Sequence, residues 1–140
     1  MKNLRMLLLA LFLFACSPAL QGEGKYEFVD QNGETQYVHV VLKMKNDKIT
    51  SIAIDESYTK DGEKTTKKKL GASYGMKEVP GSKGEWNEQV KHLEMELLGT
   101  DGDIDLDEQG YPVDEDVLSG CTINLTNIEK GIELAIENID

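Results

Sequence analysis

From Tyr37 to Lys45 the apolar residues Val38, Val40, Leu42 and Met44 alternate with His39, Val41, Lys43 and Lys45. A period of two puts one set on a buried face and the other on a wetter one, so this segment predicts a half-buried strand. A lone strand leaves its backbone polar groups unpaired, and the flanking sequence supplies two neighbours. Upstream, Gln31-Asn32-Gly33-Glu34 is a turn that joins a strand from Tyr26 to Val29. Downstream, Asn46-Asp47 reverses the chain into the β-branched run Ile49 to Ile54. The expected start of the fold is a three-stranded antiparallel meander beginning near Lys25.

Two helical patterns follow. Trp86, Val90, Leu93 and Leu97 fall on one helical face and Gly99 ends the run, which predicts a helix over about Trp86 to Leu98. Near the end, Ile128, Ile132, Ala135, Ile136 and Ile139 predict a second helix from about Asn127 to Asn138, with Thr126 and Glu129 spaced as a capping box. Strands first and helices later indicate an α+β domain, an antiparallel sheet packed against both helices.

The amino terminus carries a different signal. Lys2 and Arg5 precede the apolar stretch Met6 to Phe14, which is shorter than the ~20 residues a bilayer span needs. Residues 1–15 read as a signal peptide. Leu13-Phe14-Ala15-Cys16 then resembles a bacterial lipobox, with Phe14 an uncommon occupant; the resemblance implies acylation of Cys16 and a tether to membrane lipid outside the cytoplasm. Residues 16–24 are expected to form the lipidated cysteine and a short linker containing Pro18, Gly22 and Gly24, and residues 25–140 the domain. Losing Lys2 and Arg5 leaves 13 of the 15 Lys and Arg against 26 Asp and Glu. Such an acidic field argues against nucleic acid as a partner. With Cys16 acylated, Cys121 has no partner for an internal disulfide.

The segment Asp116-Val117-Leu118-Ser119-Gly120-Cys121-Thr122 is the most informative for function. It sets a threonine hydroxyl after a flexible glycine and ahead of a helix, where amides of a turn and a helix start are expected to hold an anion such as phosphate. On the residues alone, the same turn also serves simply to end one element and start the next. The segment resembles the flavinylation motif of covalent FMN-binding domains, usually Asp-x-x-Ser/Thr-Gly-Ala-Thr. By position the resemblance implies FMN esterified to Thr122 through its phosphate, with Asp116, Ser119 and Gly120 matching and Cys121 standing where alanine is usual. Asn46-Asp47-Lys48-Ile49, Tyr74-Gly75-Met76-Lys77, Glu85-Trp86-Asn87-Glu88-Gln89 and Leu93-Glu94 are similar to further pieces of the family in the same order, with Asp47 replacing a glycine.

The resemblance implies a membrane-anchored, extracytoplasmic flavoprotein. Such a chain would be related to the FMN-carrying subunits of sodium-translocating NADH:quinone reductases and to extracellular electron-transfer lipoproteins. It would carry electrons between a donor and an acceptor that the sequence does not identify. It is no enzyme itself, and a separate FAD:protein FMN transferase attaches the flavin. The rival reading is a ligand-binding or structural surface lipoprotein without flavin.

Other constellations point to less. Asp105, Asp107, Gln109, Gly110 and Asp116 fall at positions 1, 3, 5, 6 and 12 of a calcium-loop template, but Gln109, Pro112 and the final aspartate fit it poorly. A solvated acidic loop is the expectation. Lys64, Lys67, Lys68 and Lys69 read as a charged hairpin end, with an acidic partner or lipid surface as the alternative. His39 and His92 lack metal-ligand spacing, and no histidine lies near Ser119 in sequence. Tyr74, Met76 and Trp86 are suited either to the core or to the face of a flavin ring.

Overall fold

The computed structural model describes residues 17–140; Cys16 and the leader therefore lie outside the described residues. Four strands, β1 (Leu20–Val29), β2 (Thr35–Lys45), β3 (Lys48–Lys60) and β4 (Glu63–Thr66), form an antiparallel sheet in the order β1-β2-β3-β4. After them come a one-turn helix α1 (Lys67–Leu70), two short 3-10 turns, α2 (Trp86–Leu97), the one-turn α3 (Glu115–Leu118) and α4 (Thr126–Glu137). The expected α+β class is the observed one.

Turn chemistry explains the meander. Asn46 and Asp47 both hold positive φ (52° and 59°), the geometry that lets a two-residue hairpin follow the twist of its strands. Asp61 and Gly62 repeat it between β3 and β4, at φ 53° and 81°. In the first turn the Asp30 carboxylate accepts from the amides of Asn32 (2.9 Å) and Glu34 (3.0 Å). The alternation in β2 is realised as read: Val38, Val40, Leu42 and Met44 are buried, while the intervening residues are partly or fully exposed. Val38 and Val40 face α4, Ile54 meets α2, and one continuous core joins them to Trp86, Val90, Leu93, Leu125, Ile128 and Ile132. Each such side chain contributes about 1.5–3 kcal/mol on full burial.

One boundary differs. β1 starts at Leu20, and Gly22 and Gly24 pair with Leu42 and Val40 instead of lying in a linker. Their role is proximity. A Cβ on Gly22 would collide with the Ala135 carbonyl, and one on Gly24 with that of Gly131, so α4 lies directly on the backbone of β1. The capping box also sits elsewhere. Leu125, not Thr126, is the cap residue of α4, and the Asn124 side chain accepts from the Thr126 amide (3.0 Å); Glu85 and Glu88 form the reciprocal box at the start of α2. The lysine cluster forms no loose hairpin end. Lys64 reaches the Thr35 carbonyl and the Gln36 amide, Lys67 pairs with Glu56, and Lys68 pairs with the buried Glu94.

Candidate functional site

The segment from Asp116 to Thr122 lies at the end of α3, not at the start of α4. Asp114 caps α3 through the amides of Asp116 and Val117, and the amides of Gly120 and Cys121 both return to the Val117 carbonyl. The next amide, that of Thr122, donates to Gln89 Oε1 at 2.9 Å. The expected anion nest is therefore absent from this turn, because its amides are already paired within the protein. A phosphate held here would depend on a covalent bond and on side chains.

Gly120 has a different function from the one its sequence suggests. A Cβ there would strike the imidazole of His92, which packs on the turn from α2. His92 Nε2 donates to the Asp116 carbonyl (2.7 Å) and stands 3.3 Å from Ser119 Oγ, with Glu96 at 3.9 Å. The fold thus brings to Ser119 the histidine that the sequence keeps 27 positions away. The group is no catalytic triad. Serine and histidine both give their protons to the Asp116 carbonyl, and the carboxylate approaches the same nitrogen as the serine. The Asp116 side chain lines a separate hollow with Glu96, Asp103 and Asp105. It does not line the cavity beside Thr122.

Cys121 is fully buried, and burial pushes its thiol up to about 11 against a smaller opposing pull from the Ile123 amide. It packs as a small apolar group. Thr122 itself is half-buried beside a cavity of about 370 Å³ lined by Met76, Val79, Pro80, Tyr111, Ile123 and Asn124 among others. Met76, Ile123 and Asn124 are also walls of a larger cavity of about 610 Å³, a size within the range of roughly 300–1,000 Å³ of small-molecule sites. There Phe28, Tyr74 and Trp86 supply aromatic surface, while Gln36, Ser57, Glu56, Lys67 and Asn127 supply polar groups. Tyr74 is held edge-on against Tyr58, with ring centres 5.1 Å apart.

Lys67 brings a cation into this cavity, beside the carboxylate of Glu56 and with that of Asp30 at the rim. Its ammonium lies 2.5 Å from Glu56 and above the rings of Tyr74 (4.9 Å) and Trp86 (5.4 Å). Burial alone would lower its pKa, but Glu56 and Tyr74 outweigh that and hold it above the ordinary lysine value. On the rim, the Glu34 amide and then the Gln36 side chain hold the Asp30 carboxyl below its usual range. A flat heteroaromatic group with carbonyl edges fits this lining: aromatic and thioether faces for its rings, ammonium and amide donors for its oxygens.

The sequence reading does not place Gln89 or Lys67 at the site: Gln89 appears only within the family-like stretch Glu85-Trp86-Asn87-Glu88-Gln89, and Lys67 only within the lysine cluster. Gln89 is 1% exposed on the apolar face of α2, and a polar residue on such a stripe was the available signal. Tyr74, Met76 and Trp86 do meet at one cavity. The stretch with calcium-loop spacing has another structure: Asp107 accepts from the amides of Gln109 and Tyr111 in a turn closed by a Leu106–Pro112 bridge. Among the described residues no cluster of His, Cys, Asp and Glu is arranged to hold a metal ion, and no helix is long and apolar enough to cross a membrane. Comparison with known proteins finds no matching family, no matching curated protein and no matching solved structure, so the case for any ligand stands on the residues around Thr122.

Proposed function

We propose that this chain is an extracytoplasmic flavoprotein, tethered to a bacterial membrane through acylated Cys16, that carries FMN on Thr122 and passes electrons between a donor and an acceptor. The observation that supports this most is the shared wall of two cavities. Thr122 stands at one, and the neighbouring one presents Tyr74, Met76, Trp86 and Lys67 to a planar ring. Bound FMN would supply one- and two-electron redox chemistry. The chain's own residues exclude water with Trp86 and Phe28, offer Lys67 to a carbonyl edge and hold Thr122 by way of Gln89. Outside the cytoplasm a phosphoester also prevents loss of the cofactor by dilution.

Attachment is a phosphoryl transfer. Thr122 Oγ bonds to the flavin-side phosphorus of FAD, the bond from that phosphorus to the bridging oxygen breaks, and AMP leaves with that oxygen. The hydroxyl proton passes to a base on the FAD:protein FMN transferase, since no side chain basic at neutral pH is hydrogen-bonded to Thr122.

Coexpression with that transferase should add the mass of one FMN less one water to the peptide containing Thr122, with flavin absorbance that survives denaturation. Thr122→Ala should remove both adduct and colour and leave the melting temperature within a few degrees. A colourless wild-type chain made beside an active transferase would instead favour the plain surface lipoprotein. The internally paired amides of residues 120–122 are the observation on that side.

A further inference from the structure

We infer that Gln89 is the positioning residue for the Thr122 hydroxyl, an inference that rests on the flavin-carrying reading above. Gln89 satisfies all four of its hydrogen-bonding positions. Its Nε2 donates to Ser82 Oγ and to the Gly84 carbonyl, both at 3.0 Å, and its Oε1 accepts from the Thr122 amide at 2.9 Å and the Thr122 hydroxyl at 3.3 Å. This arrangement fixes the orientation of the amide. Turned over, it would set its NH₂ against the Thr122 amide and its oxygen against the Gly84 carbonyl. The side chain is almost wholly buried and lies on a helix locked by Trp86 and by the Glu85–Glu88 box.

One acceptor therefore grips Thr122 at two points, backbone and side chain, and fixes the rotamer of a hydroxyl that would otherwise turn freely. Since the hydroxyl donates to Gln89 Oε1, Oγ keeps its lone pairs for attack, and Thr122 and Gln89 together line the smaller cavity. The amide is a poor base, so the proton must leave to the transferase, and the bond it breaks is the longer of the two. The 2.9 Å bond to the Thr122 amide involves no atom of the new ester and persists in the product. Gln89 thus acts before and during the transfer on the rate of reaction of bound substrates, not on the binding of FAD.

The experiment is a kinetic one on the purified full-length chain with transferase, magnesium and FAD. Adduct formation on Thr122 is followed by intact mass. Wild-type protein is the first arm, and absence of any adduct there overturns the flavin reading itself. Gln89→Met keeps the volume and removes the acceptor; its rate at saturating FAD should fall at least tenfold with the KM for FAD within twofold of wild type. Gln89→Glu, held as the neutral acid by burial, keeps one oxygen facing Thr122 and a hydroxyl donating to the Gly84 carbonyl, and should recover the rate to within about threefold of wild type. A methionine variant that reacts as fast as wild type would overturn the inference, as would a glutamate variant slowed tenfold or more. If thermal melting shows the methionine variant unfolded, the glutamate variant decides alone by the same limits.

Discussion

At Cys121 the sequence departs from the pattern that the segment otherwise follows, and the core explains what the position tolerates. The side chain is fully buried between α3 and Leu125, so any small apolar residue serves. Its titration gives a testable slope. The folded thiol is pushed from 9.0 up to about 11, so above pH 9 the unfolded chain binds fewer protons than the folded one. Stability is therefore fully present below about pH 9 and falls as the pH rises toward 11, by roughly 2–3 kcal/mol at 1.36 kcal/mol per pKa unit. Urea unfolding at pH 8 and pH 11 should show that loss in wild type in excess of the loss in Cys121→Ala. Equal losses would place the thiol in water. At the same scale, Thr122 stands out in sequence as a candidate because its hydroxyl follows Gly120 by two positions. Gln89 leaves only a polar residue on the apolar stripe of α2 as its trace, because its bond to Thr122 spans 33 positions.

The elements differ in how openly the sequence declares them. β2, α2 and α4 bury one face each, so their periods of two and 3.6 are visible, while β3 is declared by its β-branched residues, and the observed ends fall within a few residues of the readings except for the longer β3. β4 and α1 are short and polar and carry no period. The first half of β1 was misread because Leu20-Gln21-Gly22-Glu23-Gly24 has linker composition, whereas its glycines are there to admit α4. That makes Gly24→Ala an informative change. The new methyl must push against the Gly131 carbonyl and the Ala135 amide, both backbone atoms that cannot rotate away. The expected cost is about 3 kcal/mol, the upper part of the range for overpacking, and on the order of 10 °C in melting temperature for a domain this size. Gln21→Ala, exposed on the same strand, should fall within about 0.5 kcal/mol of wild type. A thermal melt of both settles it: equal melting temperatures would mean that β1 and α4 do not press together.

Over the whole molecule, the proposed acylation of Cys16 would make charge and tether together determine how the domain meets a membrane. After the leader, 13 Lys and Arg face 26 Asp and Glu, so an anionic lipid surface repels the domain. The lysine cluster, which reads in sequence as a charged hairpin end with a lipid surface as one alternative, is largely spent inside: Lys64 on backbone and amide oxygens, Lys67 on Glu56, Lys68 on Glu94. On the proposed reading, attachment then depends on Cys16. Two or three acyl chains, at about 0.8 kcal/mol per buried methylene, outweigh the repulsion easily. Three residues, Ser17 to Ala19, separate that cysteine from β1, so an acylated Cys16 would set the start of the sheet close to the lipid, while Phe28 and Val29, at the other end of the strand, line the larger cavity. Ten strand residues at about 3.3 Å each put roughly 30 Å between the two ends. Cys16→Ser should accordingly lose fatty-acid labelling and stop partitioning into detergent. It should also fail to bind vesicles rich in anionic lipid at low ionic strength, where Debye screening is weakest. Binding of that variant at about 10 mM salt (a Debye length of about 30 Å) with release at about 150 mM would show that exposed lysines hold the protein to the surface, and would overturn the assignment of the tether to Cys16.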